Sequence, residues 1–409
     1  MQWCSLGMRL CVPIEQSNPF TGSHRRRQTL IRLSGCSFAS GRLQRNPFVE
    51  TALGYALTYV SALTRSLIQP ATITVLADND YYSRPSPNLP RGAPASHGFN
   101  KFGVHLWDAH KTGLGSSAAL VTAFVGAVLV HYLPEDKFSL TTDSGKARLH
   151  NLAQAAHCAA QGKVGSGFDV ASAVYGSCLY RRFSPALLES HGEPGSAGFA
   201  ERLRALVEET DEASRWDTQI TKSAVTVPKG VRLVMCDVDC GSQTPGMVTK
   251  VLAWRREKPE EANRVWSQLQ RRNEALAAEL VELAANGTED YNRLKRCISD
   301  IRAGVREMSR LSGVPIEPEP QTQLLDACTD LAGVIGGVVP GAGGYDAVAL
   351  LVEDEQQVLA RLRTFLGGWR FEGGGDPDAK PGKVSVLGVR EETEGVRPED
   401  GSMYDEWVG

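Results

Sequence analysis

Apolar positions recur at helical spacing from Val49 onward, where Val49, Leu53, Ala56, Leu57, Val60 and Leu63 form one stripe and predict a helix over 49–67. Asn46-Pro47-Phe48 starts it, and Pro70 closes the region. Ile73 and Val75 then alternate with Thr72 and Thr74, the period of a strand over 71–77. Residues 78–100 are polar, hold four prolines and read as an exposed loop. A Gly- and Ser-rich turn at 112–117 runs into an apolar stretch reaching Leu133, hydrophobic on nearly every side and so predicted to be a helix covered all round. Leu149, Leu152, Ala153, Ala156 and Ala160 mark the inward face of a helix over 145–161. A second glycine turn, 162–167, leads into a short helix from Phe168, and 177–183 predict a strand.

Past a loop and a charged helix near 201–210, residues 231–239 predict a strand and 259–286 and 288–313 two long helices. A helix over 322–333, a glycine cluster at 336–344, a strand at 347–352, a helix at 355–366 and a strand at 383–389 follow. Helices and strands mix in both halves, so the fold class is α/β (α+β), with a boundary near 185–225. No internal repeat is visible. At roughly 150 residues per domain, the 409 residues suit two or three domains.

Charge and cysteines narrow the function classes. Lys plus Arg number 44 against 47 acids, a net charge of -3, which argues against nucleic-acid binding as the main task. The nine cysteines show no metal or disulfide spacing; they point to a reducing compartment, and the cytoplasm is expected. The longest uncharged run, 112–130, begins as a turn and leaves too little to span a bilayer. His150 and His157 lack carboxylates or further histidines at metal-ligand spacing and read as structural rather than zinc-binding. Residues 1–45 hold seven arginines, no lysine and one acid, and are expected to stand outside the fold.

Chemistry concentrates in three glycine turns. In Lys111-Thr112-Gly113-Leu114-Gly115-Ser116-Ser117-Ala118-Ala119, glycines let amide N–H groups turn toward an anion, and the following helix adds its positive end. The two hydroxyls suit phosphate oxygens or magnesium, and Lys111 adds charge. The Walker pattern and the dinucleotide pattern are both absent, and the bland alternative is a loop capping a buried helix. The second turn, 162–167, precedes Asp169, which is equally readable as a helix cap or as a carboxylate that orients or deprotonates an attacking hydroxyl. The third, Pro340-Gly341-Ala342-Gly343-Gly344-Tyr345-Asp346, lets backbone approach a ligand or another loop. Arg181, Arg182 and Lys222 are candidate contacts to an acidic substrate, or simply a solvated face.

These motifs resemble the galactokinase, homoserine kinase, mevalonate kinase and phosphomevalonate kinase (GHMP) superfamily. The stretches 150–158, 160–171, Tyr180-Arg181-Arg182-Phe183 and Gly241-Ser242-Gln243-Thr244-Pro245, with 340–347, resemble its fungal phosphomevalonate kinase branch over about 46–389. The resemblance implies an amino-terminal domain like ribosomal protein S5 over 46–190 and a ferredoxin-like domain over 220–395. It implies transfer of the ATP γ-phosphoryl group to (R)-5-phosphomevalonate, giving the 5-diphosphate, in isoprenoid and sterol synthesis, with no obligate protein partner. By the same resemblance Gly113, Leu114, Gly115, Ser116, Ser117 and Ala118, with Gly343 and Gly344, bind ATP phosphates. A loop serine, Ser116 or Ser117, lies near Mg2+, with Ser117 taken as the ligand; Asp169 and Lys111 are catalytic, and Ser166 and Arg182 contact substrate. Two features depart from the family pattern: no acid occurs from Lys146 to Gly167, and no Pro-Gly-Lys precedes the phosphate loop. The Arg-rich opening stands where the family's first strands belong, and impaired folding or phosphoryl transfer is therefore expected of the chain as written.

Overall fold

The stripe beginning at Val49 is buried along helix α1 (Pro47–Thr64), which Asn46 caps by accepting the Phe48 and Val49 N–H groups on Oδ1. The computed structural model describes residues 2–4, 10–11, 14–16, 46–64, 68–77, 81, 115–189, 191–222, 225–238, 246–287, 289–371 and 383–404. By contacts the chain divides into two units, one of 7–221 with 392–409, the other of 222–391 with 1–6.

In the first unit α1 packs on α2 (Ser116–Tyr132) and α3 (Asp143–Gln161), and these on α4 (Phe168–Tyr175). Val121, Phe124, Val125, Val128 and Leu129 of α2 are fully buried, as a helix apolar all round requires. Thr142 caps α3 through Oγ1 accepting from the Gly145 N–H, and Gly162 ends it in the left-handed region. Strand β6 (Cys178–Arg181) lies beside β7 (Gln219–Lys222), and α5 (Ala186–Glu189) and α6 (Phe199–Glu208) complete the core. Among the described residues of 1–45 there are three short strands, β1 (Gln2–Cys4), β2 (Leu10–Cys11) and β3 (Ile14–Gln16). The expected strand at 71–77 is two, β4 (Ala71–Ile73) and β5 (Leu76–Ala77), which pair antiparallel with β3 and β2.

The second unit is built on an antiparallel sheet ordered β11-β8-β10-β9, from β8 (Val231–Val238), β9 (Val334–Val338), β10 (Ala347–Glu353) and β11 (Val384–Val386). Helices separate β8 from β9 and β10 from β11, which gives the βαββαβ order of a ferredoxin-like fold. Val348, Leu350 and Val352 pack with α10 (Glu319–Thr329) and α11 (Gln356–Gly368), while Leu351 joins the cluster of α8 (Pro259–Asn286) and α9 (Asn292–Ser312). Among the described residues from Val231 to Val386, two elements were not visible in the pattern. Strand β9 hides in the glycine cluster because Gly337 is a packing residue: a Cβ there would lie 2.3 Å from Leu350 and 2.7 Å from the Ala349 carbonyl. Helix α7 (Met247–Glu257) buries only Met247 and Trp254, too sparse a stripe to register.

Candidate active site

Gly115 adopts φ +72, and helix α2 starts from it with Ser116 and Ser117 in its first turn and no side chain capping the end. Ala118 and Ala119 N–H groups both reach the Gly115 carbonyl, so the ladder begins there and the amides ahead of it project from the helix end. The apolar body of α2 anchors that end in the core. Lys111, Gly113 and Leu114 lie outside the described residues, as does the 241–245 motif.

Helix α4 begins beside it. Gly167 at φ +82 starts the helix, and Asp169, half-buried in the first turn, accepts the Val170 N–H on Oδ1 at 3.0 Å. A Cβ on Gly115 would sit 3.4 Å from the Asp169 Cβ. The two helix starts therefore lie side by side, with room for little more than a methyl group between Gly115 and Asp169, bringing the Gly115-Ser116-Ser117 turn and Asp169 together. At Gly167 a Cβ would lie 2.6 Å from both Gln154 Oε1 and Tyr180 Oη. Strand β6 pins the intervening loop: Tyr180 Oη donates to the Ser166 carbonyl at 2.9 Å and Arg182 Nη2 to the Val164 carbonyl at 2.9 Å. Ser166 and Arg182, both predicted to touch substrate, are thus exposed at this loop.

Sequence reasoning read His150 and His157 as structural and gave no role at the site to the face of α3 that carries them. His150, Gln154, His157 and Gln161 follow one another at i, i+4, i+7 and i+11, and the first three are buried. Ser117 Oγ lies 3.1 Å from His157 Nε2, and Gln161 Nε2 is 3.2 Å from the same atom. Burial lowers the His157 pKa against an opposing pull from Asp169. Burial also raises the Cys158 thiol, whose sulfur accepts from Gln154 Nε2. The available signal was a polar stripe at helical spacing inside a helix with little exposed face.

Gly343 and Gly344 belong to the second unit. They lie at φ +83 and +106, the Gly344 N–H donates to the Ile316 carbonyl at 2.9 Å, and a Cβ on Gly343 would meet that carbonyl oxygen at 2.4 Å. Gln321 Nε2 donates to the Tyr345 carbonyl, and beneath Ile316 the Glu317 carboxylate is held by Arg302 and Arg306.

Chemically, an open helix start, two hydroxyls and an adjacent carboxylate are groups suited to a polyphosphate. Among the described residues no group of three or more His, Cys, Asp or Glu is placed to hold a metal alone. Ser117 Oγ and the Asp169 carboxylate instead fit a magnesium ion shared with nucleotide phosphates and water, which needs only one or two protein oxygens.

The GHMP kinases N terminal domain matches residues 104–177, and the GHMP kinases C terminal domain matches residues 280–367. Phosphomevalonate kinase ERG8 of Gibberella zeae is 54% identical over 367 residues, covering 89% of this chain and 78% of its own. Phosphomevalonate kinase erg8 of Aspergillus fumigatus is 52% identical over 371 residues, covering 89% and 76%. The solved Streptococcus pneumoniae phosphomevalonate kinase, in complex with phosphomevalonate and AMPPNP, superposes with a TM-score of 0.55 at 18% identity over 88% of this chain and 89% of that one, a likeness of fold. The chain belongs to the phosphomevalonate kinase family, within the GHMP kinases.

Proposed function

We propose that this chain transfers the γ-phosphoryl group of ATP to the phosphate of (R)-5-phosphomevalonate. A phosphate oxygen of the acceptor forms the new P–O bond, the β,γ-bridging bond breaks, and its electrons leave with ADP. The observation that carries the reading is the contact between Gly115 and Asp169, which sets the carboxylate beside the open start of α2.

The acceptor is already ionised near neutral pH, since the second phosphate pKa is about 6, so little is gained from a strong general base. The heavier demand is holding two anionic phosphates in line while their repulsion is neutralised. In this reading the Ser116 and Ser117 amides bind phosphate oxygens along the helix dipole, with Gly113, Leu114 and Lys111 extending the cradle. Asp169 positions charged partners rather than abstracting a proton. Ser117 and Asp169 would hold a magnesium ion accompanying ATP, which would supply neutralisation of the phosphate charge. Ser166 and Arg182 are assigned to the acceptor phosphate from the exposed loop. For Gly343 and Gly344 the nucleotide role rests on the family motif alone. Buried free thiols at Cys158, Cys178, Cys236 and Cys328 support the cytoplasm as the compartment.

The test is ADP release by the purified full chain with ATP and either phosphomevalonate or mevalonate. ADP release that depends on phosphomevalonate and is absent with mevalonate is expected. Equal release with mevalonate, or release indifferent to either acceptor, overturns the assignment. The dependence, not the absolute rate, carries it, because the rate also reads the lack of a Pro-Gly-Lys lysine ahead of the phosphate loop. Asp169→Asn is expected to lower kcat by about 100-fold or more while leaving the melting temperature near that of the parent.

A further inference from the structure

His157 lies in the candidate site, yet no motif gives it a task. Its ring is buried, and its centroid stands 5.7 Å from that of Phe48 with 31° between the planes, so its orientation is fixed by packing. Two groups meet one atom of it: Ser117 Oγ at 3.1 Å and Gln161 Nε2 at 3.2 Å from Nε2. A carboxamide nitrogen only donates. With the Gln161 carboxamide placed nitrogen-first against the ring, His157 Nε2 is the acceptor and the ring proton sits on Nδ1. Ser117 must then donate its own proton to Nε2, which leaves the lone pairs of its oxygen for something else. A hydroxyl in that state is a poor donor to a phosphate oxygen and a good ligand for a hard cation.

We infer that His157, oriented by Phe48 and Gln161, is a positioning residue that fixes the Ser117 proton and so commits this hydroxyl to the magnesium ion accompanying ATP, leaving Ser116 for phosphate. This rests on the kinase reading above. The sequence agrees: with no acid between Lys146 and Gly167, what α3 offers at this point is His157, which fixes the serine oxygen that α2 presents.

The test is a double-mutant cycle read by calorimetric binding of ADP to the full chain with and without Mg2+. His157→Phe and Ser117→Ala are each expected to cut the Mg2+-dependent gain in ADP affinity by about tenfold, the worth of one well-oriented ligand, and the double variant no further. ADP affinity without Mg2+ stays within about twofold. His157→Gln, whose carboxamide oxygen accepts in place of Nε2, restores most of the gain; Gln161→Leu, which frees the ring to change tautomer, loses part of it. Additive losses in the double variant overturn the inference. So does an unchanged Mg2+ gain in His157→Phe, or His157→Gln behaving like His157→Phe. If His157→Phe does not fold, His157→Gln and Gln161→Leu decide: retained gain in the first with partial loss in the second supports the inference, and the reverse overturns it. Turnover of the parent chain is scored separately. Intact coupling without phosphomevalonate-dependent turnover sinks the kinase assignment and leaves the Ser117–His157 lock standing.

Discussion

Two residues in the first unit show how little freedom the site has. Gly167 combines φ +82 with 2.6 Å clearances to Gln154 Oε1 and Tyr180 Oη, so a methyl group meets backbone strain and two polar atoms together. Gly167→Ala should cost roughly 1–3 kcal/mol in denaturant unfolding and lower kcat by displacing Asp169. Gly165→Ala, whose Cβ would stand 3.5 Å from Gln161 Oε1, should be nearly silent. If both cost the same, crowding at Gly167 is not the cause. His150 makes the second case. It is buried between the Tyr175 and Trp216 rings, with Nδ1 near Asn151 Oδ1, and burial lowers its pKa from 6.5 to about 4. The fold thus favours the neutral ring, and the unfolded chain takes the proton first. Stability from this group is complete above about pH 6.5 and is withdrawn as pH falls toward 4, a loss of about 3 kcal/mol. Unfolding of His150→Phe measured from pH 7 to 4 should therefore show a flatter acid limb than the parent. An equally steep limb would place the acid sensitivity elsewhere.

At the level of elements, the third glycine turn depends on a segment that is itself held by charge. Glu317, with its side chain 1% exposed, is bound by Arg302 at 2.8 Å and Arg306 at 3.1 Å, and Arg302 also reaches Asp326. Arg302→Met strands the buried carboxylate on one partner and should cost about 3 kcal/mol, whereas Arg302→Met with Glu317→Met should recover most of that. Equal losses in the single and double variants, compared by urea unfolding, would count against a stranded charge. None of this network was legible in the sequence, since residues 15 apart on a helix and a loop carry no spacing signal. The helix starts at Ser116 and Phe168 were legible because each needs a glycine turn followed by an abrupt apolar run, and local chemistry alone sets that. The polar stripe of α3 was only half legible. His150 and His157 read as structural and are buried, but that His157 and Gln154 face the site follows from α1, α2 and α4 covering the helix from several sides, a property of packing rather than of period. The glycines of β9 likewise read as a turn because sequence cannot distinguish a glycine needed for its φ from one needed for closeness.

For the molecule as a whole, the feature least expected is that residues 392–404 rejoin the first unit after the second is complete. The Ser177 N–H and Oγ both donate to the Glu392 carbonyl, at 2.8 and 2.7 Å, and the Val396 N–H donates to the Ala173 carbonyl at 2.9 Å. The segment thus straps the far end of α4, and Val396 reaches Gly126 midway along α2. It joins the two helices whose opposite ends form the candidate site, so tail docking and the Gly115–Asp169 contact should be mechanically linked. Gly395 is the point at which to break the strap, because a Cβ there would lie 2.1 Å from the Val174 carbonyl oxygen, and backbone cannot yield as a flexible side chain would. Gly395→Val should detach the segment, lower the melting temperature by several degrees for a loss of about 2 kcal/mol, and reduce kcat without a matching change in acceptor KM. Limited digestion with a glutamate-specific protease reads the docking directly. Glu392, Glu394 and Glu399 are engaged by Arg397 in the docked tail, and the bond after Glu399 should be cut faster in the variant, while hydrogen exchange in the β8–β10 pair of the second unit stays unchanged. Faster cleavage at Glu399 with undiminished kcat would separate the strap from the site, and would mean that α2 and α4 hold their contact through the core alone.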